Sequence, residues 1–373
     1  MSKVHLGDVA KERKETCKDS KNGYPIVGLE HLTPEEITLS AWEEDKENSF
    51  SKLFHKGDVL FGRRRAYLKK AVVAPFDGIC SGDITVIEAI PEKILPELLP
   101  FIIQNDALFN YATNKSAGSL SPRVKWEHLK NYEFELPDMK KQRELAKVLW
   151  AMDATKKSYQ KLLQKTDELV KSRFVEMFHD CHREKLGDIC QIKARIGWQG
   201  LKKNEYLSSG DYLLVTGVDF VKNRIDFEHC FYVDKERYEQ DEYIQLQAGD
   251  VLITKDGTIG KVAFVEEIPM PATLNSGVFV VRDLYGKVSN WFLYYAFMTK
   301  EFETFVEGCK TGSTIAHLNQ GAFINYEIPV PNTAMQEEFV LFARQSDKSK
   351  FELEQALAEL TTTYKKIISE NLG

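Results

Sequence analysis

Leu186-Gly187-Asp188-Ile189 repeats Leu6-Gly7-Asp8-Val9 at a distance of 180 positions, and this pairing decides how the chain is read. Lys56-Gly57-Asp58-Val59-Leu60-Phe61 returns as Ala248-Gly249-Asp250-Val251-Leu252-Ile253, offset by 192. Ala117-Gly118-Ser119 returns as Thr311-Gly312-Ser313 and Tyr132-Glu133 as Tyr326-Glu327, both offset by 194. Pro137 and Gln142 reappear as Pro331 and Gln336 at that same offset. One such match is chance. Several in the same order, with a slowly growing offset, mark a duplicated unit carrying small insertions.

Each copy ends in a long stretch without Gly or Pro. Steps of four and three through the first stretch pass Leu145, Leu149, Met152, Leu163 and Val170. The same phase in the second passes Phe339, Leu353, Leu357, Leu360, Tyr364 and Ile367. These are heptad seams, and two long helices with matching seams bury them together. The polar segment from Phe178 to Lys185 reads as a short return linker, which makes the helices antiparallel. The alternative is that each helix packs only on its own domain.

The expected fold class is therefore α+β: two mixed, strand-rich domains joined by two long antiparallel helices, with an internal pseudo-twofold duplication. The expected bounds are 1–137 for the first domain, 138–184 for the first spacer helix and linker, 185–331 for the second domain and 332–373 for the second spacer helix. Asp58–Phe61 with Tyr67–Val73, and Asp250–Thr254 with Lys261–Val265, read as hairpins. Residues 93–112 and 290–307 read as helical, with apolar positions such as Leu98, Ile102 and Leu108, and Phe292, Tyr295 and Phe302.

Composition bounds the function. Hydrophobic residues make up 43% of the 373 positions, enough for a core. The net charge of −6 argues against a uniformly basic surface but leaves local basic sites open. Divided at Glu184, the first part carries 30 basic and 29 acidic residues and the remainder 20 and 27, so the acidity sits in the second copy. No apolar run is long enough to cross a membrane, the amino terminus lacks a signal-peptide stretch, and six scattered cysteines read as free thiols of a cytoplasmic protein.

Catalytic signatures are absent. Gly257-Thr258-Ile259-Gly260-Lys261 has glycines too close for a phosphate loop and strands on both sides. There is no dinucleotide fingerprint and no Asn-Pro-Pro-aromatic stretch such as amino-methyltransferases use. His179, Cys181, His182 and Cys190 lack zinc-ligand spacing, so no metal site is assigned.

Two Leu-Gly-Asp openings, two Gly-Asp-Val-Leu hairpins, two Gly-Ser loops and two Pro-x(4)-Gln helix starts, duplicated in order, resemble the specificity subunits of Type I restriction–modification systems over nearly the whole chain. Ala194-Arg195-Ile196-Gly197-Trp198-Gln199-Gly200 also looks like the start of a recognition domain in that family. The resemblance implies two target-recognition domains on a coiled-coil spacer. Each would read half of a split double-stranded DNA target, with two methyltransferase subunits docked directly and restriction/translocase subunits held through them. It also implies a non-catalytic chain without a cofactor, S-adenosylmethionine being expected on the methyltransferase partner. Two other readings stand beside it: the specificity chain of a Type IIB-like enzyme, and a non-DNA coiled-coil adaptor with two ligand-binding domains.

DNA reading needs cations at phosphates and directional groups at base edges. In the first copy the candidates are Arg63, Arg64, Arg65, Tyr67 and Lys69 on the hairpin tip, and Lys115, Ser116, Ser119 and Arg123 on the Gly-Ser loop. In the second they are Arg195, Trp198 and Gln199 on the opening loop, Lys255 and Thr258 on the hairpin tip, and Lys310, Ser313, Thr314 and His317 on the Gly-Ser loop. Trp198 reads equally as a core anchor, and the Arg run as a solvated basic turn. Arg-rich and Lys-Asp-Thr tips differ in chemistry, so the two half-sites are expected to differ.

Overall fold

A computed structural model describes residues 2–17, 23–44, 49–309 and 317–373. It divides into two compact units, Met1–Leu162 with Leu353–Gly373, and Leu163–Glu352.

In the first unit an antiparallel sheet runs in the order Ala10–Glu12, Ile84–Ala89, Val59–Gly62, Ala71–Val73. A smaller sheet places Gly78–Cys80 between Ile26–Val27 and Lys52–Phe54, and Ser2–His5 pairs with Glu133–Leu136. In the second unit the sheet order is Cys190–Lys193, Val278–Asp283, Val251–Thr254, Val262–Phe264. Tyr212–Val215 lies between Phe231–Val233 and Ala272–Leu274, and Arg183–Lys185 pairs with Glu327–Pro329. Residues 183–185 are thus not the free linker expected from their polarity. Their backbone groups are used by a strand partner 144 residues away, Arg183 facing Pro329 at one end of the register and Lys185 facing Glu327 at the other.

The repeated motifs have one physical reason each, and it is the same in both units. Leu6 and Gly7 donate backbone N–H groups to the Tyr132 and Lys130 carbonyls at 2.9 and 2.8 Å; Leu186 and Gly187 do so to Tyr326 and Ile324 at 2.9 and 2.8 Å. The glycine is needed for close approach, because a Cβ at Gly7 would lie 3.2 Å from the Lys130 oxygen and one at Gly187 3.1 Å from that of Ile324. In the Gly-Asp pairs, Gly57 and Gly249 adopt φ values of 93° and 92°. The following carboxylate is buried and accepts from the backbone N–H three residues earlier, His55 to Asp58 at 2.7 Å and Gln247 to Asp250 at 2.8 Å. Each also takes an arginine, Arg13 on Asp58 and Arg282 on Asp250, which offsets the cost of burying the charge. Gln142 and Gln336 are buried. Their oxygens accept from Leu95 and Ser289 N–H groups at 2.8 Å, and their amides donate to the Pro137 and Pro331 carbonyls at 2.8 and 2.9 Å.

Met139–Phe178 and Thr333–Leu372 are helices of 40 residues each. None of the seam residues is exposed. In the first unit Leu145 and Leu149 share a core with Ile368 and Leu372, flanked by Tyr364 and Ile367. In the second, Phe174 and Phe178 pack their rings 5.3 and 5.5 Å from Phe339, beside Ala343. Within each unit the paired segments therefore run antiparallel: residues early in one helix meet residues late in the other.

The two shorter stretches expected to be helical each contain two helices. Residues 93–112 form Leu99–Ile103 and Asp106–Asn114, because Gln104 ends the first piece and the Asn105 side chain caps the next by accepting from Ala107 N at 3.0 Å. Residues 290–307 form Asn290–Ala296 and Lys300–Cys309, with Thr299 Oγ1 accepting from Phe302 N at the second start.

Candidate nucleic-acid interface

The hairpin tip after Val59–Gly62 and the Gly-Ser loop are distant in sequence and meet in space. Arg63 N donates to the Asp83 carbonyl at 3.0 Å and Val124 N to the Arg63 carbonyl at 3.0 Å, while Arg64 and Arg123 form a β-bridge. The same frame exists in the second unit. Lys255 N donates to Gly277 and Leu318 N to Lys255, both at 2.8 Å, and Asp256 bridges His317.

On this shared frame the side chains differ. In the first unit Asp83 grips Arg123 through two hydrogen bonds of 2.7 and 3.1 Å, and Arg64 Nη1 stands 3.7 Å from the same carboxylate. The bond from Arg123 is the main reason the Asp83 carboxyl titrates below its ordinary value, aided by the charges of Arg64 and Arg63. Arg64 also donates to Ser121 Oγ. Arg65, held left-handed at φ 55°, makes no side-chain hydrogen bond or ion pair among the described residues and is exposed. The Arg63 Nε–H is buried without a protein acceptor. Three guanidinium groups, those of Arg63, Arg64 and Arg123, thus act on one carboxylate, and the exposed Arg65 next to them extends a cationic rim with donors to spare.

The other first-copy candidates divide. Tyr67 is 53% exposed on the turn Ala66–Leu68, beside the arginines. Lys69 is tied to Asp106 at 2.6 Å. Ser116 donates to the Ala112 carbonyl at 2.8 Å and finishes a helix, so its hydroxyl is occupied locally. Lys115 lies over the Tyr111 ring, 5.8 Å from its centre, and Ser119 is exposed.

In the second copy His317 Nδ1 contacts Asp256 Oδ1, Lys255 lies 5.2 Å above the Phe279 ring, and Thr258 is exposed. Lys310, Ser313 and Thr314 lie outside the described residues, as does the Trp198 side chain. Two candidates need correction. Arg195 is only 1% exposed and donates to Leu274 O at 2.9 Å, Gln240 Oε1 at 3.1 Å, and Arg237 O and Thr273 Oγ1 at 3.2 Å. Burial, with the nearby Arg237 charge, pushes its pKa down. With its donors used internally it organises the opening loop and is not available to DNA. Gln199 is 5% exposed and likewise faces inward. Sequence reasoning missed Asp83, the centre of the first rim. No residue-type signal marks it, since its counterpart at the 194 offset is Gly277.

Among the described residues no His, Cys, Asp or Glu group of three or more is placed to hold a metal ion, and no helix is long and apolar enough to cross a membrane.

A family model for the Type I restriction modification DNA specificity domain matches residues 1–166 and, a second time, residues 180–361. The chain belongs to the Type I restriction–modification DNA specificity family. Curated relatives include the putative type I restriction enzyme MjaX specificity subunit of Methanocaldococcus jannaschii, 21% identical over 323 residues, covering 78% of this chain and 72% of the relative. Another is the type I restriction enzyme EcoDI specificity subunit of Escherichia coli, 24% identical over 139 residues, 36% of this chain and 31% of the relative. The Type-I restriction-modification S subunit from M. genitalium has the same fold at a TM-score of 0.59 and 13% identity, covering 100% of this chain and 96% of its own. A chain from a structure of type I R-M complex assembly and conformational transition matches at a TM-score of 0.61 and 20% identity, over 99% and 97%. The two separate matches of one specificity-family domain agree with the duplication read from Leu-Gly-Asp and Gly-Asp.

Proposed function

We propose that this member of the specificity family reads a two-part, asymmetric double-stranded DNA target, with residues 1–137 reading one half and residues 185–331 the other. The observation that carries this is the shared frame with unshared side chains. Arg64, Asp83 and Arg123 in one unit stand where Asp256, Gly277 and His317 stand in the other. An arginine-rich tip suits guanine edges and phosphates, whereas an Asp–His pair offers an acceptor and a smaller donor, so the two rims would select different bases.

In this reading the two long helices form a coiled-coil spacer of about 60 Å, related by the pseudo-twofold of the duplication. Spacer segments 138–184 and 332–373 set an unread gap between the half-sites. The chain itself catalyses nothing; in the cytoplasm it carries two methyltransferase subunits, which hold S-adenosylmethionine, and restriction subunits through them. The excess of acidic residues in the second copy supports a shared grip, in which those partners supply much of the phosphate attraction. The test is to replace residues 1–137 by a second copy of 185–331 and map methylated bases by sequencing. The target should become symmetric; an unchanged target refutes the reading.

A further inference from the structure

Leu120 is 90% exposed. It stands at the tip of a short connection whose base is closed by reciprocal backbone bonds, Ala117 N to Arg123 O at 3.0 Å and Arg123 N to Ala117 O at 2.9 Å. Gly118 turns the chain at φ 116°. On one flank Arg64 donates to Ser121 Oγ; at the base Asp83 fixes Arg123. The tip is therefore braced, and Leu120 belongs to none of the buried cores or the apolar residues packed against them. Its neighbours Ser119 and Ser121 suit a solvated turn, and the fold gains nothing from a leucine between them. A braced apolar side chain among the guanidinium groups of Arg64, Arg65 and Arg123 matches a DNA groove, where phosphates flank base edges and the thymine methyl is the apolar partner.

We propose that Leu120 is a specificity-determining residue of the first DNA-reading site, placed by its arginine-braced loop against a thymine methyl in the target. This rests on the DNA-reading assignment above. The experiment uses the full chain assembled with its methyltransferase subunit, S-adenosylmethionine and a library of randomised duplexes, sequenced for methylation. L120A should weaken the preference for one A·T pair in one half-site by about tenfold, ~1.4 kcal/mol, and leave the other half-site unchanged. L120M, which keeps an apolar side chain of similar volume, should retain the preference. The unfolding midpoint should not move in either variant, because the position is solvated. Wild-type preference at every position in L120A overturns the proposal, as does loss of assembly with the methyltransferase in the absence of DNA, which would turn the tip towards a protein. If the wild-type complex itself shows no sequence preference, the DNA-reading assignment fails, an outcome distinct from a failure of Leu120 alone.

Discussion

Replacing Arg64 and Arg65 together by Gln tests the cationic rim quantitatively. Both residues are exposed; Arg65 has no side-chain partner among the described residues, and Arg64 holds Ser121 Oγ and a 3.7 Å approach to Asp83. Removing them leaves no buried group unsatisfied, so folding stability should change by no more than ~0.5 kcal/mol. If each guanidinium neutralises one phosphate, the slope of log affinity against log salt should fall by ~0.9 for each and ~1.8 for the pair. Taken from a 1 M reference, that loss is ~60-fold at 0.1 M salt, or ~2.4 kcal/mol, and shrinks to ~20-fold at 0.2 M. Fluorescence anisotropy of the assembled complex on a target duplex, across roughly 0.05–0.2 M salt, reads both quantities. An unchanged slope, or an equal loss at every salt concentration, would refute phosphate contact by this tip.

Three further outcomes follow from the packing. Arg195→Met removes the donor that serves Leu274 O, Arg237 O and Thr273 Oγ1, so it should cost ~3 kcal/mol of stability through unsatisfied buried acceptors while leaving the salt slope of DNA binding intact; denaturant unfolding and anisotropy measure the two. Phe339→Ala deletes a fully buried ring that touches Phe174, Phe178 and Tyr295 and should cost ~3–5 kcal/mol, read as a lower thermal transition. His55 lies between Asp77 at 3.0 Å and Glu15 at 3.2 Å, and these bonds, that of Asp77 foremost, raise its pKa above 6.5. A raised folded-state pKa means its stabilisation is present below about pH 6.5 and is lost as pH rises through the folded value, so the melting-temperature advantage of wild type over His55→Gln should shrink with rising pH through that window.

Much of the fold was legible because duplication tests itself. Gly57 and Gly249 are positive-φ turns, Gln142 and Gln336 bridge the same backbone groups, and each motif kept its spacing because its partners kept theirs. Local breaks were less legible. The apolar pattern across 93–112 runs through Gln104 and Asn105, and only the cap formed by Asn105 reveals two helices. The site was legible where charge lies on a turn, as at Arg64 and Arg65. It failed where a polar residue type concealed burial: Arg195 reads as a surface cation, yet its carbonyl partners come from residues 42 and 79 positions away. Asp83 was invisible for the converse reason, since its importance comes from loops that meet only after folding.

In the proposed reading one duplicated frame carries two different DNA-reading rims. The most direct test of that reading is base-resolution methylation mapping in cells that carry this chain with its methyltransferase subunit. Methylation is expected within a two-part target whose halves differ and are separated by unread positions, and it should be lost when the chain is deleted. A single contiguous target, identical halves, or methylation that persists without the chain would contradict it.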